Sequence, residues 1–447
     1  MVISSVSRQT GSVELFVNRL ILGGDGLAEL DGLKVFVPFA APEERVRARI
    51  VLRKRDYAVA QIEEVIEPSP LRIQPACPYY GRCGGCQLQH ISYTGQLVVK
   101  KLLVNDALQH LGKIYVPVKN IKFQSAEWRY RNKTQYPVGA QKNLLIGFYE
   151  KRSHRLIDIS ACLLHPELFD DVRQILYEAI IMSGEKPYDE RAHLGNVRHI
   201  ILRQGGDNGV LVILVTRTKK ISSKIVARLA DLPQITGVVQ SVNPERTNRI
   251  LGKEMTPLYG KDYINQVVLG KGFRVSAKSF FQVNISQTEE LARKVINFVE
   301  PSGYESVVDL FSGVGMLSLI IADKVKKVIG IEIEPSAVAD ARFNAEMQMA
   351  KNVQFIEGDV NEHIAQIDSA DIVILDPPRK GCDFDTLRQI ARLKPNTIVY
   401  ISCNPATLAR DLVVLEELGF TCQEVEPVDM FPQTAHIEVI TKLVRKG

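Results

Sequence analysis

Ser306-Val-Val-Asp309-Leu310-Phe311-Ser312-Gly313-Val314-Gly315, running on into the apolar stretch 316–322, decides the fold. It reads as a buried strand ending on Asp309, a glycine turn, and a helix starting at Met316. Glycines let backbone approach a ligand at the carboxyl edge of a sheet, where open α/β sheets hold cofactors. A dinucleotide fingerprint asks for a third small residue in G-x-G-x-x-G, and Ser318 fills that slot. Asp309 suits S-adenosylmethionine better, because an amine and a ribose need acceptors whereas a pyrophosphate needs a cradle of donors. Working outward, Val328-Ile-Gly-Ile331 leads to Glu332, placed to accept both ribose hydroxyls. The strand at 353–356 leads to Asp359 beside the expected adenine, and that at 371–375 delivers Asp376-Pro377-Pro378-Arg379. From about residue 271 onward, strands and helices alternate at βαβ spacing. That pattern calls for a doubly wound parallel sheet, with a nicotinamide enzyme as the competing reading.

Downstream, Ser402-Cys403-Asn404-Pro405 sets a cysteine just ahead of a helix, with Asn404 as N-cap and Pro405 at the first helical position. The positive end of that helix favours thiolate over thiol. Glu438, in Ile437-Glu438-Val439-Ile440, lies among apolar neighbours that raise the pKa of a carboxyl. A nucleophile, a methyl-donor site and a base together suit covalent methylation of a pyrimidine ring. C5 of uracil is a poor nucleophile until a thiolate adds at C6, and the methylated adduct then needs a base to take the C5 proton. Asp376 is placed to pair with N3–H of uracil, and a stacked base must be flipped out to reach the site.

The 447 residues predict about three domains at ~150 residues each. With 45% hydrophobic and 24% charged residues the composition is that of a soluble globular chain. No apolar run approaches the ~18 residues of a membrane span, and no signal peptide is read, so the expected location is the cytoplasm. Residues 1–70 read as short strands with glycine turns, a small OB-like barrel. Residues 71–270 read as a mixed central domain in which a helix near 93–125 packs on the catalytic domain, and 271–447 as that catalytic domain. In the central part, strands are expected at 144–149, 199–202 and 210–216, and helices near 166–183 and 222–232. The net charge of +5 names no partner, but the basic residues cluster. Arg45, Arg47 and Arg49 alternate with apolar residues, and Arg129, Arg131 and Lys133 interleave with Trp128, Tyr130 and Tyr136. Such interleaving suits RNA, by base stacking and phosphate contacts; a solvated strand face is the competing reading.

Seven cysteines in a chain with no secretory signal argue against a disulfide framework. Cys77-x5-Cys83-x2-Cys86, with Cys162 remote, supplies four thiolates; by spacing these hold either zinc or an iron–sulfur cluster. The spacing is not that of a radical S-adenosylmethionine enzyme.

Five motifs carry a resemblance: Phe280-Phe281-Gln282-Val283-Asn284, 309–315, Asp376-Pro-Pro-Arg-Lys-Gly-Cys382, 401–411, and Gln433-Thr-Ala-His-Ile-Glu438. Together they make the chain similar to the RNA uracil-C5 methyltransferase family over nearly its whole length. The resemblance implies a class I, Rossmann-like methyltransferase domain with an N-terminal RNA-binding barrel of the TRAM type. It implies Cys403 as nucleophile, Glu438 as base, and Gln282, Phe311, Glu332 and Asp376 as cofactor and active-site contacts. The segment 77–87 resembles the [4Fe–4S] loop of the rRNA-modifying branch, which makes the four cysteines cluster ligands and a uridine of 23S rRNA the expected target. The T-loop uridine of tRNA is the alternative, and the chain is expected to act as a monomer. A cytosine-C5 enzyme pairing Cys382 with Cys403, or an inactive RNA-binding protein, are the rival readings. Met316 stands where the family often has Asn or Thr, and Val439 where a smaller residue is expected.

Overall fold

The computed structural model describes residues 11–123 and 126–447. The first ten residues of the expected barrel, and positions 124 and 125 at the end of the expected 93–125 segment, lie outside the described residues. The C-terminal third forms a sheet from β1 (Ser306–Leu310), β2 (Lys327–Glu332), β3 (Val353–Glu357), β4 (Ile372–Leu375), β5 (Thr397–Ser402), β6 (Phe420–Val428) and β7 (Glu438–Arg445). Its order is β3-β2-β1-β4-β5-β7-β6. β1 to β5 run parallel, and β7 runs antiparallel to both neighbours. The near-continuous Val/Ile/Leu content of β1, β4 and β5 is what a strand covered on both faces requires. Strand order reverses between β1 and β4, so the loops leaving them diverge and open a crevice at the carboxyl edge. The antiparallel β7 matters most for the site. Ser402 pairs with Val439, so the start of β7 lies at the same edge as the end of β5.

Helices cover both faces: α1 (Tyr93–Asp106), α2 (Ile285–Val299), α3 (Met316–Ile321), α4 (Pro335–Met347), α5 (Phe384–Arg392) and α6 (Pro405–Glu417). α2, α3 and α4 share one core with Val307, Ile374 and Ile401. α1, α5 and α6 share the other with Leu310, Leu375 and Tyr400, and Ile114, Val118 and Ile121 belong to the same cluster. The buried ion pair of Lys100 with Asp429, 2.5 Å, ties α1 to the turn between β6 and β7.

In the central region a second sheet contains Leu144–Tyr149, Val197–Gln204 and Val210–Thr216, with helices Glu167–Ser183 and Ser223–Ala230 on one face. Its other face, through Ile201, Leu211, Ile213 and Val239, packs into the catalytic core. The N-terminal strands form a six-stranded sheet that curls back on itself, Asn18 N–H bonding Leu27 O at 2.9 Å.

The first basic group fits the competing solvated-face reading, and the second departs from an exposed stacking face. Arg45, Arg47 and Arg49 do point outward along Glu44–Arg53, but Glu67, Glu14, Glu64 and Glu63 face them across the sheet and neutralise the row. The 128–136 run is not a strand with an exposed aromatic face. It bends at Arg129 (φ 55°), and the next strand begins only at Lys133. Tyr130 and Tyr136 are therefore buried, their hydroxyls bonded to Pro432 O (2.9 Å) and His165 Nε2 (2.7 Å). Arg129 is held by the carbonyls of Cys162 and His165 and by Glu167. Trp128 is half-buried. Among the described residues no helix is long and apolar enough to cross a membrane.

Candidate active site

The turn after β1 has Phe311, Gly313 and Gly315 all at positive φ (62°, 54° and 78°). Gly315 has no alternative: a Cβ there would stand 2.4 Å from Phe355 Cζ. The resulting loop presents the Gly313 N–H to Glu332 (3.0 Å), whose other oxygen accepts from Glu334 N–H (2.8 Å). Glu332 is thus oriented at the end of β2, and each oxygen keeps a lone pair for a hydroxyl donor. The Ser312 hydroxyl is buried with no hydrogen-bond partner among the described residues, an orphan of the kind a polar ligand satisfies. Asp309 plays a different part from that expected. Its Oδ2 accepts from both Ser318 N–H (3.1 Å) and Ser318 Oγ (2.5 Å), strapping β1 to α3. Asp359 is exposed and caps the short helix Val360–Ile364 through Asn361 N–H, 2.8 Å. Gln282 is buried ahead of α2, its carbonyl accepting from Asn132 Nδ2 (3.2 Å) across to the central sheet. Met316 is buried in the core at the start of α3.

Cys403 leaves β5 half-buried, with Asn404 capping α6 by accepting from Ala406 N–H (3.1 Å). Glu438 opens β7 in the neighbouring register position, buried, with Oε2 lacking any hydrogen bond. Asp376 follows β4 at the same edge. These groups titrate one another. Burial first, then the charge of Asp376, holds the Glu438 carboxyl well above the usual range, while Arg379 opposes. Burial and the charge of Asp309 raise Asp376 to about 7. Cys403 is pushed up to about 11 by burial, Glu438 and Asp376, with Arg379 again opposing. The helix N-terminus alone therefore does not make a thiolate; in the free site the sulfur keeps its proton. Arg379, also 3.3 Å from the His436 ring, is a cation that acts on both Cys403 and Glu438. Its place within the 376–382 motif gives it no role by sequence alone. Cys382 is elsewhere, buried against Tyr400 in the core and raised to about 12 by that burial, so it does not pair with Cys403.

Raised carboxyls carry a stability consequence. Asp376 binds its proton more tightly folded than unfolded, so folding is penalised as pH climbs from about 4 to about 7 and the penalty is complete above that. Asp376→Asn is expected to stabilise the protein by about 1–3 kcal/mol at pH 8 and to leave it unchanged near pH 4. Denaturant melts at the two pH values check this; equal stability at pH 8 contradicts it.

Cys77, Cys83, Cys86 and Cys162, all free thiols, line one cavity of about 410 Å³ together with Arg131 and Lys133. Burial, with smaller contributions from neighbouring thiols, raises Cys86 to about 12 and Cys162 to about 11, so these two stay protonated without a bound cation. Among the described residues no three His, Cys, Asp or Glu side chains converge closely enough to ligate a single ion.

A family model described as tRNA (Uracil-5-)-methyltransferase matches residues 211–446. The chain is 41% identical to an uncharacterized RNA methyltransferase of Listeria innocua, over 99% of this chain and 100% of that protein. It is 42% identical to another of Halalkalibacterium halodurans, over 97% of each. Among solved structures it is similar to the tRNA (uracil-54, C5)-methyltransferase of Pyrococcus abyssi in complex with S-adenosyl-L-homocysteine. That likeness has a TM-score of 0.78 at 28% identity, over 96% of this chain and 99% of the other.

Proposed function

The chain belongs to the family of S-adenosylmethionine-dependent RNA uracil-C5 methyltransferases, and we propose that it methylates a uridine of 23S rRNA through a covalent Cys403 adduct. The observation that carries the chemistry is the meeting of Cys403, Glu438 and Asp376 at one sheet edge, beside the turn that presents Glu332. Bound S-adenosylmethionine would supply an electrophilic methyl; Phe311, Gln282, Glu332 and Asp359 are the residues that would hold it. Cys403 releases its proton to solvent and its thiolate adds to C6 of the flipped uracil, so that the ring becomes an enolate with density at C5. Asp376 pairs with the N3–H edge and selects uracil. After C5 takes the methyl, Glu438 removes the C5 proton, the C6–S bond breaks, and the thiolate leaves. A carboxyl held neutral by its surroundings in the free protein is a strong base once ionised, which suits that step.

Residues 1–70 are assigned as a TRAM-like RNA-holding barrel, 71–270 as the central RNA-facing domain, and 271–447 as the catalytic domain. Cys77, Cys83, Cys86 and Cys162 are assigned to a [4Fe–4S] cluster, which would supply the positive charge that turns the four thiols into thiolates. The cysteine loop is what favours 23S rRNA. A second reading, the T-loop uridine of tRNA, is favoured by the likeness to the Pyrococcus abyssi enzyme. Mapping 5-methyluridine in rRNA and tRNA from cells with and without the gene separates the two. The first reading expects one 23S uridine to lose its methyl with tRNA unchanged; loss confined to the T-loop overturns it.

A further inference from the structure

We infer that the cysteine-rich loop, through Gln87, is a positioning element for Glu438. The inference rests on the uracil-C5 reading, in which Glu438 is the base. Glu438 is the first residue after the turn 429–437, and its free Oε2 leaves the turn to set where the carboxyl sits. That turn is strained: Gln433 sits at φ 68°, a conformation that a long side chain holds only when its surroundings impose it.

The surroundings come from outside the catalytic sheet. The Gln433 carbonyl accepts from the N–H groups of Gln87 (3.2 Å) and Leu88 (3.0 Å), both in the cysteine loop. Gln96 of α1 grips it reciprocally, Oε1 accepting from Gln433 N–H and Nε2 donating to Gln433 Oε1, each at 2.9 Å. Two residues on, Ala435 N–H donates to Gln87 Oε1 (3.2 Å), while Gln87 Nε2 donates to Gly84 O (2.8 Å). Gly84 stands between Cys83 and Cys86. One side chain therefore spans from among the cysteines to the backbone just ahead of the base. Leu88, Ile91 and Ala435 pack in a common apolar cluster beside these bonds. Whatever orders the cysteine loop also orders the turn that delivers Glu438, and this gives the loop a part in the release half of the reaction.

Gln87→Met keeps the bulk of the side chain and removes both hydrogen bonds. In single-turnover reactions with substrate RNA, the variant should form the methylated protein–RNA adduct at close to the wild-type rate. Release should slow about tenfold, so the adduct accumulates on denaturing gels. Hydrogen exchange should accelerate across 429–437 while β1 and β2 stay protected. Gln96→Met should give the same pattern from the other side of the turn. Release at the wild-type rate overturns the inference, as does a parallel fall in adduct formation and release that tracks a lowered melting temperature. If the wild-type protein forms no RNA adduct, the uracil-C5 reading is what fails. The exchange measurement then decides alone, and unchanged protection of 429–437 in Gln87→Met overturns the clasp.

Discussion

Cys403→Ala is expected to lose methyl transfer to RNA by more than about 10⁴-fold, with no covalent RNA adduct and with cofactor binding retained. The side chain is half-buried at the end of β5, and its removal leaves the α6 cap made by Asn404 in place. The fold should therefore survive while the only route to a nucleophilic C5 disappears. Adduct gels with labelled RNA, alongside calorimetry for the methyl donor, separate a lost nucleophile from a lost site. Substantial turnover by the alanine variant would remove the covalent mechanism. Cys382→Ala makes a useful control, because that thiol lies in the core beside Tyr400 and should affect packing but not adduct release.

Glu438→Gln should separate the two halves of the reaction. Attack by Cys403 and methyl transfer do not need the carboxylate, so one turnover proceeds to the methylated adduct. Proton removal does need it, and a positioned general base contributes about 10²–10⁴-fold, so release should slow by that factor. Rapid-quench measurements of adduct formation and decay check this. Burial of Glu438 also sets the pH dependence: in the wild type, release should fall off on the acid side at a pH well above the ordinary carboxylate range. A glutamine variant that releases product at the wild-type rate shows that another group is the base.

The parts of this site that sequence could reveal are those fixed by local pattern. The 306–315 strand and turn, the Asn404 cap and the strands ending on Glu332 and Asp376 each follow from residue types within a few positions of one another. The residues whose surroundings come from distant chain read less well. Asp309 reads as a cofactor acceptor, but Ser318, in the first turn of α3, takes its Oδ2. The arginines of Glu44–Arg53 alternate as expected; only strand pairing brings glutamates opposite them. Tyr130 and Tyr136 carry the composition of an RNA-stacking face, yet a bend at Arg129 turns them inward, and nothing in their spacing announces it. The Gln433 clasp joins 84–96 to 433–435, a contact that no local periodicity encodes.

The account stands most directly on the identity of the atom that attacks uracil. RNA carrying 5-fluorouridine offers no C5 proton for Glu438 to remove, so a methylated adduct formed on it cannot be resolved. Incubation with that RNA and S-adenosylmethionine, followed by digestion and mass spectrometry, should give one cross-linked peptide. It should carry Cys403 joined through sulfur to C6 of a 5-fluoro-5-methyl-dihydrouridine. A cross-link at any other cysteine, or methyl transfer to this protein's RNA substrate with no trapped peptide on the fluorinated RNA, contradicts it.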